Sequence, residues 1–199
     1  SSRSDKICNG GLHGPLSLCH TSGVTKETTL NIFYTDPDPV VAAQSLPDRH
    51  IVKMPVEAVQ MLVSACLRNG VQPSVVTKAG TIHKGGYHRH PCTVWASDFV
   101  LNWRWLISHG LALCEEYSHR YQKIHTCLNA LAHADKIFPY GDPAGRSGKD
   151  PKPFARAMPD EFKFDTSIDT FTAYRMYIAS KPWVASNYIR DPSRKPDWI

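Results

Sequence analysis

An all-α fold is what the 199-residue sequence predicts: a small compact helical domain with three main helices and long loops. Three observations carry this reading. Apolar residues recur at helical spacing in two long stretches, Pro47–Arg68 and Pro91–Leu128. Proline, aspartate and glycine stand where such helices would start and stop. The composition, 42% hydrophobic and 10% aromatic, supplies enough apolar material for one core at this length.

Taken in order, residues 1–29 are rich in Ser, Gly and Thr and lack periodicity, so they read as an irregular N-terminal extension. The apolar patch at Leu16–Leu18 is too brief for a signal-peptide core. A single helical domain then occupies 30–199. It opens with "LNIFYTD", broken by Asp36-Pro37-Asp38-Pro39. Asp38 before Pro39 is a side-chain cap followed by proline at the first helical position, so a helix is expected from Pro39 to Ser45. Pro47-Asp48 starts the next, which runs to Arg68 and stops at Asn69-Gly70; Pro55 inside it predicts a kink or break. Residues 71–90 form a loop that is rich in glycine and in basic side chains. It reads either as a phosphate-tracking loop or as a plain solvated one. From Pro91 to Leu128 the pattern is helical. Trp95, Phe99, Asn102, Trp103, Leu106, Leu113, Tyr117 and Tyr121 lie on one broad stripe that reads as core, and Gly110 marks a bend. Phe138–Phe154 is a Pro/Gly loop, and a last helix spans Ser167–Ser180. No internal repeat is present.

The net charge of +5, with ten further histidines, suits an anionic partner such as nucleic acid without requiring one. No run of 18 apolar residues occurs, which argues against a membrane partner. The six cysteines form no CxxC pair, so neither a zinc site nor a disulfide scaffold is expected, and a reduced, cytoplasmic protein is.

The densest chemistry lies in "DRHIVKMPVEAVQML", Asp48–Leu62. His50, Lys53 and Glu57 are three and four residues apart and share one helix face. Spacing alone allows two readings. One is a solvated edge with a Lys53–Glu57 surface pair; the other is an acid/base carboxylate flanked by cations. Gly-rich phosphate loops, GxSxG and HExxH are all absent.

Two segments break this tie. "NIFYTDPDPVVAAQSLPDRHIVKMPVEAVQML" and "HPCTVWASDFVLNWRWLISHGLALCEEYSHRY" resemble the endonuclease V type of pyrimidine-dimer DNA glycosylase, through a mostly phage and bacterial group. That family's helix carries Asp-x-His with a glutamate seven residues after the histidine; Asp48, His50 and Glu57 keep those intervals. The family's aromatic-basic C-terminal segment is similar to "AYRMYIASKPWVASNY". The resemblance implies a small α bundle that bends duplex DNA and extrudes a nucleotide opposite the lesion. It also implies an N-terminal α-amine that attacks the deoxyribose C1′ and a glutamate that stabilises the sugar cation. It needs no cofactor and no metal, and the implied partner is double-stranded DNA, bound by a monomer.

Carried onto this chain, the resemblance makes Glu57 the catalytic carboxylate. His50 would orient sugar or phosphate, and Lys53 and Asn31 are the further catalytic candidates. Arg49, Lys78, Lys84, Arg89, His90, Arg120, Arg175, Arg190, Arg194 and Lys195 would hold DNA. Two departures matter. The family has arginines one residue before and three after the glutamate, where Val56 and Gln60 stand here. The likeness also begins at Asn31, behind the extension. Three nucleophiles therefore stay open: an α-amine at Asn31 if Leu30 marks an initiation position, Lys53, or a water activated by Glu57 or Asp36. The third is the first choice for the chain as written. The phage-associated group suggests a hypermodified base in phage DNA as target. The competing readings are a non-catalytic nucleic-acid-binding protein, a structural protein, and a base-modifying transferase for which no donor-binding feature is found.

Overall fold

The computed structural model describes residues 30–77, 79–140 and 153–199; the extension 1–29, Lys78 and residues 141–152 lie outside the described residues. Among them the fold is all helical, with one isolated antiparallel bridge, Val76 to Ile82. Helix α1 is Pro39–Gln44, and Asp38 caps it as expected, its Oδ1 accepting from the amide of Val40 at 2.7 Å. Helix α2 is Asp48–Arg68. It ends where the sequence indicates, with Gly70 supplying the left-handed residue (φ 73°) that follows the Asn69 cap. The expected break at Pro55 does not occur. The helix continues through it, with the proline buried in the core.

The long helix expected over Pro91–Leu128 is two: α3, Pro91–Asp98, and α4, Val100–Tyr121. Phe99 is extended between them (φ −142°, ψ 143°). The break is held open by side-chain amides that satisfy carbonyls of the last turn of α3. Asn102 donates to Trp95 O at 2.8 Å and Asn69 to Ser97 O at 3.0 Å. Gly110 lies inside the continuous helix α4. A Cβ there would come within 3.0 Å of Leu131 and 3.3 Å of Ala58, so the glycine permits a close crossing of α2 over α4.

Four short helices follow. These are α5 (Leu128–Ala132), α6 (Ala134–Ile137), α7 (Asp160–Lys163) and α8 (Thr170–Ala179), the last capped by Asp169 on the amide of Thr172. A 3-10 turn, Pro192–Arg194, lies near the C-terminus. The core is built on α2 and α4: Ile51, Met54, Leu62, Leu106 and Leu113 pack with Tyr34, Trp95, Tyr174 and Ile178. The aromatic stripe is core, as its spacing indicates, apart from Tyr117 and Tyr121, which are half-buried. Among the described residues α2 is long and apolar enough to cross a membrane, with mean hydropathy 1.2, but 72% of that window is buried against the rest of the chain.

One ionic network crosses this core. Arg120, at the end of α4, has a fully buried side chain. It donates to Glu116 Oε1 (2.8 Å), Asp48 Oδ1 (3.0 Å) and the carbonyls of Leu46 (2.9 Å) and Gln44 (2.9 Å). The expectation that Arg120 binds DNA is thus corrected: its donors are turned inward, where they close the α1–α2 junction. Arg194, also expected on DNA, pairs with the same Glu116 oxygen at 3.0 Å. The second oxygen of Asp48 accepts from the amides of Ile189 (2.8 Å) and Arg190 (3.0 Å), tying the C-terminal segment to the start of α2.

Of the buried histidines, His50 and His109 are the most deeply placed. His50 is held down to about 3 by burial, then by the positive charge of Lys181, Lys53 and Arg49. Burial lowers His109 to about 4. Both are therefore neutral in the folded protein at neutral pH.

Two predictions follow from these buried charges. Removing Arg120 leaves Asp48 and Glu116 buried without their main partner. Arg120→Met is expected to lose about 3–5 kcal/mol of unfolding free energy in urea denaturation, and Arg120→Lys to restore little of it, lacking the planar fork. A loss under about 1 kcal/mol would contradict the network's role. The histidines set a pH dependence. The unfolded chain takes up protons at both rings below about pH 6.5 while the folded protein does not, so stability falls as pH drops from there toward 4. His50→Phe is expected to flatten this slope when urea midpoints are compared at pH 7 and 4.5, and an unchanged slope would show that His50 is not held neutral.

Candidate active site

Glu57 sits on the inner face of α2 and is 6% exposed. Its carboxylate is bound from two sides. Lys53 Nζ lies 2.6 Å from Oε1, one helical turn away, and the backbone N–H of Asn31 donates to Oε2 at 2.9 Å. The Lys53–Glu57 pair is therefore not the solvated surface pair that spacing also allowed, because its carboxylate is buried while the lysine reaches solvent.

The segment before α1 brings Asn31 there. Its side chain makes a local turn, Oδ1 accepting from the amides of Ile32 (2.8 Å) and Phe33 (3.1 Å). Its Nδ2 donates to the carbonyl of Ala157 at 2.7 Å. Phe33 takes a positive φ of 57°, and Thr35 N–H bonds back to its carbonyl at 2.8 Å. A bulky residue in this conformation carries strain of about 1–3 kcal/mol and is held only by strong surroundings. Here the Phe33 ring stacks on His50, centroids 4.3 Å apart and 12° from parallel.

His50 lies two turns before Glu57 on α2 and is 2% exposed, with Trp183 edge-on at 5.5 Å. Neither ring nitrogen has a hydrogen-bond partner among the described residues. Around it stand the cations that keep it neutral. Arg49 lies over the ring of Trp183 at 4.3 Å, and Lys181 over Tyr177 at 4.0 Å and Phe33 at 5.9 Å. The result is a buried carboxylate inside a basic, aromatic rim.

A cavity of about 330 Å³ is lined by His90, Pro91, Arg156, Ala157, Met158, Pro159, Lys163 and Tyr177. Ala157 belongs both to its wall and to the hydrogen bond with Asn31.

The other expected site residues are dispersed. Lys84, Arg89, Arg190 and Lys195 are exposed, Arg190 lying over Tyr121 at 5.0 Å. Lys78 lies outside the described residues. His90 caps α3 by accepting from Cys92 N–H at 3.2 Å. Arg175 is engaged with Thr35 O (2.7 Å) and Asp36 (3.3 Å). Asp36 is held by that arginine and by the amide of Asp38, and makes no contact with Glu57. Val56, at a family arginine position, is exposed, and Gln60 is half-buried. Tyr177, Lys181 and Trp183 lie in the aromatic-basic run "AYRMYIASKPWVASNY", whose pattern assigns no role to any one of them, and Phe33 lies in the apolar start "LNIFYTD". Cys66, Cys92, Cys114 and Cys127 are free thiols, and among the described residues no three His, Cys, Asp or Glu side chains converge as a metal site.

No curated protein and no solved structure matches the chain. A family model for pyrimidine dimer DNA glycosylases matches residues 30–129, half of the sequence, spanning Asn31, His50, Lys53 and Glu57 and ending before the segment that carries Ala157, Tyr177 and Trp183. The chain belongs to the pyrimidine dimer DNA glycosylase family, whose enzymes cleave N-glycosyl bonds in DNA.

Proposed function

We propose that this protein flips a nucleotide out of duplex DNA at a damaged or modified site and breaks the glycosidic bond of the damaged or modified base beside Glu57. The observation that carries the reading is the placement of the Asn31 backbone nitrogen 2.9 Å from the Glu57 carboxylate. A carboxylate in a water-poor site is suited to stabilise positive charge developing on the sugar as the base departs. The cations Arg49, Lys53 and Lys181 would hold the flanking phosphates, and neutral His50, with its two ring nitrogens unpartnered, would receive a sugar or phosphate oxygen. Extrusion has an unstacking cost of a few kcal/mol, lowest at a damaged or mispaired site.

The same geometry bears on the choice of nucleophile. In the chain described here Asn31 follows Leu30, so its nitrogen is an amide and cannot form an imine. A form beginning at Asn31 would present an α-amine at the same point, with an ordinary pKa near ~8 and hence a sizeable neutral fraction at neutral pH. Its lone pair would attack C1′ as the base leaves with the glycosidic electron pair and takes up a proton. The C1′–O4′ bond would then open, O4′ taking a proton as the attached nitrogen loses its own, to leave an imine. Loss of a C2′ proton from that imine expels the 3′ phosphate and cuts the strand. With Asn31 acylated by Leu30, water activated by Glu57 is the first choice for base removal, and Lys53 is the other nucleophile. Replacement of the family's arginines by Val56 and Gln60 favours a modified base, such as one in phage DNA, over a dimer as the target.

The test uses duplexes carrying cyclobutane dimers, uracil or glucosylated hydroxymethylcytosine. Alkali-labile sites on one of them are expected from the full chain. A borohydride-trapped adduct is expected only from a form beginning at Asn31. Glu57→Gln should lower base removal by about a hundredfold or more with DNA binding intact. An adduct formed by the full chain and lost in Lys53→Met would assign the nucleophile to Lys53. Salt-sensitive binding with no product on any duplex would make this a non-catalytic DNA-binding protein.

A further inference from the structure

We propose that Ile124 is a wedge: it enters the base stack beside the reacting sugar and fills the space left by the flipped nucleotide, while the apolar pair Val52 and Val56 lies against the opened duplex. The proposal rests on the glycosylase reading and adds to it the residue that holds the duplex open. Helix α2 carries two adjacent rows at i, i+4 spacing. One is Arg49, Lys53 and Glu57; the other is Asp48, Val52 and Val56. DNA that meets the first row therefore lies over the second. Val52 and Val56 are 44% and 42% exposed, in the row next to the buried Glu57 carboxylate.

Ile124 flanks that second row. It is 78% exposed, more than any other large apolar side chain among the described residues. The turn that carries it is fixed by hydrogen bonds. Gln122 closes α4 in the left-handed conformation (φ 53°), its N–H donating to Ser118 O at 2.9 Å. Burial lowers the pKa of His125, so its ring is neutral at neutral pH. Its Nδ1 accepts from Cys127 N–H at 3.1 Å, which places the ring proton on Nε2, and Nε2 donates to Val52 O at 3.2 Å. Tyr117 packs edge-on against that ring at 4.9 Å. The turn is thus fastened to α2 at Val52, about 7.5 Å before Glu57 along the helix axis. At the start of the row Ile189, also largely exposed, is tied to Asp48 by its N–H. Cations accompany these apolar groups. Arg49 and Lys123 are exposed, and Arg190 lies over Tyr121 at 5.0 Å. The carboxylates of the two rows, Asp48 and Glu57, are buried and already paired with Arg120 and Lys53. An apolar projection on a cationic face suits nucleic acid, because apolar side chains can enter between base steps while the cations hold phosphate.

The experiment follows excision of one target base, from whichever of the three duplexes the wild type acts on, in two settings. In one the site is fully paired; in the other it lies in a bubble of mismatched neighbours, where little stacking remains to be broken. Ile124→Ala is expected to lower excision from the paired duplex by about tenfold or more, and to match the wild type within about twofold in the bubble, since only the paired duplex has stacking to break. Wild-type excision from the paired duplex by the variant overturns the proposal. Equal loss in both settings also overturns it, since Ile124 would then serve the chemistry or the fold. A wild type that excises no base sinks the glycosylase reading. The wedge is then read from 2-aminopurine placed beside a tetrahydrofuran site in the bound duplex. A rise in its fluorescence with the wild type that Ile124→Ala abolishes supports the wedge; a rise that the variant keeps, or no rise at all, overturns it.

Discussion

The fold turns on one carboxylate, Asp48. Helix α2 begins without a side-chain cap of its own; Asn187 instead covers its first amides, accepting from Asp48 N–H at 2.8 Å and Arg49 N–H at 2.9 Å. Asp48 returns the contact by accepting from Ile189 and Arg190 with one oxygen and from Arg120 with the other. A negative charge at the first helical position also favours the positive end of the helix. The start of α2, the end of α4 and the C-terminal segment are thereby fixed to each other. That arrangement places Trp183 against His50 and Arg49.

The candidate site around Glu57 depends on this frame for its electrostatics. Glu57 is buried, yet its charge is matched by one amine and one amide, and the remaining cations of the rim are turned to aromatic faces. The ring faces orient these cations beside the carboxylate. Phe33 connects the two regions. Its strained backbone follows the Asn31 turn, and its ring supports His50. The strain lies next to the carboxylate, where a rigid first contact is of most use.

Much of this was legible in the sequence. The Asp38-Pro39 cap, the limits of α2 and the His50–Lys53–Glu57 face are local signals, set by capping and periodicity, and they were readable for that reason. The break at Phe99 was not, because it depends on Asn102 and Asn69 reaching carbonyls of α3 from elsewhere in the chain. Arg120 was misread because a basic residue near a helix end looks the same in sequence whether it meets DNA or a buried carboxylate. The Asn31–Glu57 bond spans 26 residues, and the Asn31–Ala157 bond spans 126. Only the family resemblance pointed to Asn31, and nothing pointed to Ala157.

The central claim is that DNA chemistry occurs at the Glu57–Asn31 junction. A crystal structure of the protein with a duplex carrying a single tetrahydrofuran site tests it directly. The account predicts the C1′ position of that site within about 3.5 Å of the Glu57 carboxylate or the Asn31 nitrogen, a distance suited to reaction, with flanking phosphates on Arg49 and Lys181. A duplex bound on another face, leaving Glu57 in contact only with Lys53 and Asn31, would contradict it.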